Sequence, residues 1–274
     1  MKNLLFISFL IASQILIGAE KEKDNYKILK DIPYISENTS VQDDYRKERC
    51  KLDVYFPADQ NGFPTVVYFH GGGLEGGNKY LPEELKDKGI AVVTPNYRLS
   101  PKAQHPAYIE DAAEAVKWTM ENINQLGGDS TKVYISGHSA GGYLSLMLAL
   151  DTTYLTKKGY HPDEMAGYAP LSGQTNTHYT IRKERGLDAR IPVIDSFAPI
   201  FHSRKMKTQM ILVTGDRKKE LLARYTENAH LLDILREFGN QDINLYELEG
   251  FDHGTMVSPG CYLLVEMIRK NEKN

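Results

Sequence analysis

Two cysteines, Cys50 and Cys261, are all that the 274 residues contain. Two in a chain of this length do not make a disulfide framework, and nothing resembles paired zinc-ligand spacing. A single bridge between them in an oxidising compartment stays open. Positive charge is not in excess either. Lys and Arg number 33 against 36 Asp and Glu, a net charge of −3, which offers no field for nucleic acid or an anionic membrane. Internal repeats are absent, and the sole biased segment is the closing "RKNEKN".

The one long apolar run stands at the start. Lys2 is followed by "LLFISFLIASQILIGA" and then by the abrupt charge of "EKEKD". A basic start, a short apolar core and a small residue before the break form the pattern of a secretory leader, with cleavage expected after Ala19. The run falls a little short of a bilayer span, and no cysteine near the junction can take a lipid. Residues 1–19 are therefore read as a signal peptide and residues 20–274 as one α/β domain. The expected location is secreted or periplasmic, with no stable membrane association once the leader is gone.

Beyond the leader the chain alternates between two periods. "CKLDVYFP" alternates and reads as an edge strand. "TVVYFH" and "IAVVTPNY" are apolar runs ended by turn residues, as expected of buried parallel strands. "PAYIEDAAEAVKWTMENI" spaces Ile109, Ala113, Val116, Met120 and Ile123 by threes and fours, with Glu110, Glu114, Lys117 and Glu121 on the other side, so it is an amphipathic helix. "KVYIS" is a strand and "YLSLMLAL" a helix apolar nearly all round, hence buried. "MAGYAPLSG" and "QMILVTG" add strands. "LLARYTENAHLLDILREFG", "INLYELEG" and "YLLVEMIRK" then read as helix, last strand and last helix. Such alternation predicts a mostly parallel sheet covered on both faces, with any site at the carboxyl ends of its strands.

Three motifs fall at such ends. "GHSAGG" puts Ser139 between "KVYIS" and the buried helix, at a sharp strand-to-helix bend where Gly137 and Gly141 must be small. The Ala140 N–H, opening that helix, is placed to meet an oxyanion formed beside Ser139. "HGGG" comes directly after "TVVYF", and its uncovered backbone N–H groups, Gly71 and Gly72, are the further oxyanion donors. No Gly-Lys-Ser/Thr comes after it, which speaks against a nucleotide loop. His70 is read as structural. "GFDHG" comes after the last strand and supplies His253 as the base that takes the Ser139 proton. His138 adjoins the nucleophile, but its side chain should diverge. His105, His161, His178, His202 and His230 read as surface, cap or helix residues.

Together with "TPNYRLSP" and "HPAYIEDAAEAVKW", these motifs make the sequence resemble α/β-hydrolases of the serine esterase type over about residues 45–270. Within that type it resembles the hormone-sensitive-lipase-like and the feruloyl/acetyl-esterase-like (carbohydrate esterase) groups. The resemblance implies an α/β-hydrolase fold with a small cap insertion between the sixth and seventh strands, about residues 174–206. It also implies a catalytic order of Ser, then Asp or Glu, then His. Here the sequence departs from its relatives. An acid usually stands three places beyond the glycine that ends "QMILVTG", and that place holds Lys218. Asp216 and Glu220 flank it. Asp216, nearest the strand end, is the preferred acid and Glu220 the alternative; the bland reading of Asp216 is a turn cap, a common use of Asp beside Gly. Asp252 adjoins His253 and should point away.

The function expected from these residues is hydrolysis of short acyl esters, with no metal or organic cofactor because the triad activates its own nucleophile. The insertion and the arm "KEKDNYKILKDIPYISENTS" are polar and carry no long apolar stripe, unlike a lid that opens on fat. The expected substrate is therefore a small-molecule or oligosaccharide ester, such as an acetylated or feruloylated sugar. A serine peptidase or formamidase shares the same logic. A hydrolase-like binding protein with a defective triad is the reading that Lys218 alone supports.

Overall fold

The computed structural model describes residues 25–35 and 43–273, so the expected leader lies outside the described residues. Among these described residues, eight strands form one sheet in the order β1-β2-β4-β3-β5-β6-β7-β8. They are β1 (Tyr26–Pro33), β2 (Lys51–Pro57), β3 (Phe63–Phe69), β4 (Ala91–Pro95), β5 (Gly128–His138), β6 (Gly167–Leu171), β7 (Met210–Gly215) and β8 (Ile243–Leu248). β2 runs antiparallel to both its neighbours, β1 and β4, and the pairings β4-β3-β5-β6-β7-β8 are all parallel.

The edge differs from the expectation. "CKLDVYFP" is β2, one strand in, because "YKILKDIP" pairs along its free side as β1. Most of β1 faces solvent, so burial imposes no alternation on it and no strand period shows in its sequence.

Among the described residues the α-helices are, in chain order, α1 (Asp44–Arg49), α2 (Ala107–Asn122), α3 (Ala140–Leu150), α4 (Thr152–Thr156), α5 (Tyr179–Glu184), α6 (Arg224–Glu237) and α7 (Val257–Asn271). The period of two along each buried strand sends alternate side chains into two separate cores. Phe63, Val67 and Phe69 of β3 meet Ile109, Val116, Leu144 and Leu231 on one face. Val66 and Tyr68 go to the other, with Leu264, Val265 and Ile268 of α7. Cys50 belongs to the first core and Cys261 to the second, so the sheet separates them; both are free and no bridge forms.

All eleven residues of α3 are buried, as its continuous apolarity predicts. The amphipathic reading of α2 holds, with one addition. Asp111 lies on its buried face, clamped by Arg98 through Nε at 2.7 Å and Nη2 at 2.8 Å and joined by Arg46 at 3.0 Å. A buried carboxylate is tolerated where it is fully paired. This one ties α1, the segment after β4 and α2 into a single unit.

Candidate active site

Register brings the site together. In the parallel ladder Phe69 is level with Gly137, Gly137 with Pro170, Leu171 with Val213, and Gly215 with Leu248. The segments that leave these strands therefore start side by side, and they contain Gly71, Ser139, Ser172, Glu220 and His253.

Ser139 sits at φ 55°, ψ −111°, a conformation rare for any residue but glycine. Its N–H is anchored to the Leu171 carbonyl at 2.8 Å, and its own carbonyl accepts from Tyr143 in the first turn of α3. The flanking glycines are required by contact. A Cβ on Gly137 would lie 2.6 Å from the Phe69 carbonyl oxygen, and one on Gly141 would overlap that same carbonyl. The bend is pressed against β3, and only bare backbone fits.

His253 links the serine to a carboxylate. Its Nε2 is 2.9 Å from Ser139 Oγ and its Nδ1 is 2.5 Å from Glu220 Oε1. An ionised carboxylate only accepts, so the proton stands on Nδ1 and the Ser139 hydroxyl donates to Nε2. The Glu220 side chain is 1% exposed. Oε1 also accepts the Leu221 N–H at 2.8 Å, and Oε2 accepts Ser172 Oγ at 2.8 Å and the Gly215 N–H at 3.1 Å. Burial works to raise its pKa, but the hydrogen bonds from His253, Leu221 and Ser172 prevail and hold it at about 2.

The preference for Asp216 as the acid is corrected by this geometry. Asp216 Oδ1 accepts the Lys218 N–H at 2.9 Å and Oδ2 accepts the Gly250 N–H at 2.9 Å. The first oxygen closes its own turn, the role that Asp commonly takes beside Gly, and the second fastens that loop to the one after β8. Glu220 stands further from the strand, and its extra methylene covers the distance. Asp252 binds the Gly254 and Thr255 amides and faces away from the imidazole, as expected.

Gly71 lies against the bend, where a Cβ would be 3.4 Å from that of Ser139. The Gly72 carbonyl accepts from Glu75 and Gly76 and closes the turn. Among the described residues, the N–H groups of Gly71, Gly72 and Ala140 donate to no protein acceptor. His70 holds this loop. It is stacked on Tyr97 at 4.4 Å, with Nδ1 2.6 Å from the Gly71 carbonyl and Nε2 3.3 Å from Arg49 Nη2. The first nitrogen must donate and the second accept, so the ring is neutral. Burial, with Arg49 adding to it, takes its pKa down to about 4.

Two contributors escape a reading of the sequence. His138 does diverge from Ser139, but its Nε2 donates to the His253 carbonyl at 2.8 Å and so fixes the His253 main chain from behind. Burial, then the neighbouring His253, lowers its pKa to about 4. Ser172, buried at φ 49°, places Oγ 3.0 Å from His253 Nδ1 as well as on Glu220. The only signal for it is the serine ending the strand in "PLSG". Elsewhere, His161 and His178 cap helices as expected, whereas His105 is half-buried, with Nδ1 sealed inside the protein.

The segment between β6 and β7 lies against the glycine loop. Thr180 Oγ1 donates to the Gly73 carbonyl, Lys183 pairs with Glu75 at 3.1 Å, and a Cβ on Gly73 would overlap the Tyr179 hydroxyl.

A protein-family model described as BD-FAE matches residues 52–228. Among curated proteins, carboxylesterase NlhH of Mycobacterium tuberculosis is 38% identical over 102 residues, which are 35% of this chain and 32% of that protein. Isoprenylcysteine alpha-carbonyl methylesterase ICME of Arabidopsis thaliana is 28% identical over 139 residues, 47% of this chain and 33% of that protein. The match thus spans about a third of each relative's length. Among solved structures, a truncated carbohydrate esterase from gut microbiota superposes with a TM-score of 0.73 at 15% identity, covering 93% of this chain and 99% of that one. A Pyrobaculum calidifontis esterase gives 0.65 at 20% identity, covering 90% and 86%. These two likenesses are of fold.

Proposed function

The chain belongs to the BD-FAE family and has the α/β-hydrolase fold, and from that premise we propose that it is a serine carboxylesterase acting through an acyl-enzyme. The observation that carries the reading is His253, with one ring nitrogen 2.9 Å from Ser139 Oγ and the other 2.5 Å from Glu220. As the Ser139 oxygen attacks the ester carbonyl, its proton passes to Nε2, and the buried Glu220 carboxylate stabilises the imidazolium that forms. The carbonyl oxygen becomes an oxyanion facing the N–H groups of Gly71, Gly72 and Ala140. His253 returns the proton to the departing alcohol, then takes one from water to free the acyl group.

A short acyl chain on a solvated alcohol, such as an acetylated or feruloylated sugar, is the substrate class favoured by the polar segment at the glycine loop. The leader favours a secreted or periplasmic enzyme. A mature chain starting at Glu20, read by mass spectrometry of protein from the producing cell, is the expected outcome there. The binding-protein alternative rests on Lys218, and Glu220 supplies the carboxylate that reading takes to be missing.

The test is hydrolysis of p-nitrophenyl acetate by the purified protein and by Ser139→Ala. Turnover is expected to fall at least about 10⁴-fold in the variant. Equal rates in two folded proteins would defeat the esterase reading, and faster cleavage of decanoate than of acetate would defeat the short-acyl one.

A further inference from the structure

Arg224 opens α6 and is 5% exposed, yet it has no carboxylate partner among the described residues. One hydrogen bond engages its guanidinium, from Nη1 to the Ser172 carbonyl at 2.6 Å. Glu227 and Glu220 favour its charge from a distance, but neither forms a hydrogen bond or ion pair with it. Glu220 is taken up by His253, Ser172 and two amides, and Glu227 turns its carboxylate to the Thr175 N–H at 3.2 Å. The remaining edge of the guanidinium, Nε and Nη2, has no protein acceptor, and neither nitrogen is sealed from solvent.

That edge is the one this protein uses on carboxylates elsewhere. Arg98 clamps Asp111, Arg190 clamps Asp188 and Arg217 clamps Glu247, each through Nε and Nη2 together. The planar fork matches a carboxylate's two oxygens, and a cation this deeply buried is costly unless something pairs with it. Its surroundings are those of the reaction. The Ser172 it holds touches His253, and the cap begins at the next residues. Burial, then Arg224, Arg182 and Lys183, keeps His178 far below its ordinary pKa, so the imidazole there is neutral. His178 packs on Tyr179, whose hydroxyl abuts Gly73.

Building on the esterase reading, we propose that the Nε and Nη2 edge of Arg224 binds a free carboxylate on the substrate, so that the enzyme prefers esters of molecules carrying a second, unesterified acid group.

Two matched pairs test this, monitored in a pH-stat at pH 7.5. 4-Acetoxybenzoate against 4-acetoxybenzamide places the charge on the alcohol side, and monoethyl adipate against ethyl hexanoate places it on the acyl side. The wild type is expected to favour the charged member of one pair by roughly tenfold to a hundredfold in kcat/KM, mainly through KM. Arg224→Gln should bring that ratio near one, and Arg224→Lys, which keeps the charge but not the fork, should restore part of it. Because Arg224 also holds Ser172, absolute rates will drop in the variants, and the ratio is what reads the carboxylate. The inference is overturned if the wild type shows no charge preference in either pair, a result needing no variant to fold, or if the preference survives in Arg224→Gln. Failure to cleave even p-nitrophenyl acetate would instead sink the esterase reading and take this inference with it.

Discussion

The two halves of the relay are built on different terms. At the β5–α3 bend the backbone makes the site: Ser139 is held at positive φ, and Gly137 and Gly141 are bare because the Phe69 carbonyl leaves no room. At the β7–α6 loop a side chain makes it, and the backbone merely brings Glu220 within reach. A constraint on the backbone fixes residue and position together. A constraint on a carboxylate's location fixes neither, since a longer side chain from further along the loop delivers the same oxygens.

The strongest way to break this contrast is at the bend. Gly141→Ala is expected to yield no folded protein, measured by soluble yield and far-UV circular dichroism, because the added methyl overlaps main chain that cannot retreat. A well-folded, active variant would show that the bend can move.

The loop gives the next effect. Glu220→Gln should lower kcat for p-nitrophenyl acetate by about 10³- to 10⁴-fold. Asp216→Asn should cost less than about tenfold and act through loop stability. Reversal of that order would return the acid's role to Asp216.

Acid titration should separate the two halves by pH window. His70 and His138 are held at about 4 against an ordinary 6.5 by burial. The unfolded chain therefore gains their protons first, and the stability they contribute is lost as pH falls from 6.5 to 4, about 1–2 kcal/mol each by pH 5. Glu220, held at about 2 against an ordinary 4.5, contributes stability present above 4.5 and lost as pH falls from there towards 2. Urea unfolding at pH 7.5, 5 and 3.5 checks this. His138→Asn should remove its own share of the first window, since His70, His105 and His178 are held low by burial as well, and leave the second; a slope unchanged in that variant would refute the assignment.

The smallest effect sharpens the comparison within the loop half. Ser172→Ala is expected to lower kcat about tenfold with little change in KM, since its hydroxyl steadies Glu220 and His253 and does not reach the ester. An unchanged kcat across the pH range would leave Ser172 a packing residue only.

Legibility divides along the same line. Buried strands, α2, α3 and the bend are readable because each stems from a period or from steric exclusion in the chain itself. β1 is not, since an exposed edge strand has no face to bury and shows no alternation. Asp111 breaks the amphipathic pattern without a sign, because its partners Arg98 and Arg46 come from other segments. His253 is found through its glycine-bounded loop. Glu220 and Asp216 are ranked in the wrong order, since which carboxylate closes the turn depends on the Gly250 amide, 34 residues away.

The position of β8 at the sheet's far edge bears on how the molecule fails when heated. His253 lies just past that strand and Glu220 just past its neighbour β7, whereas Ser139 and the glycine loop leave the middle of the sheet. Fraying begins at edges, where a strand has one partner to lose. Peeling of β8 removes the proton acceptor and loosens its carboxylate, while the bend and the two cores around it keep their shape. Inactivation on warming should therefore precede the loss of secondary structure, and the first damage should heal on cooling, because the central strands remain as the template on which the edge closes again.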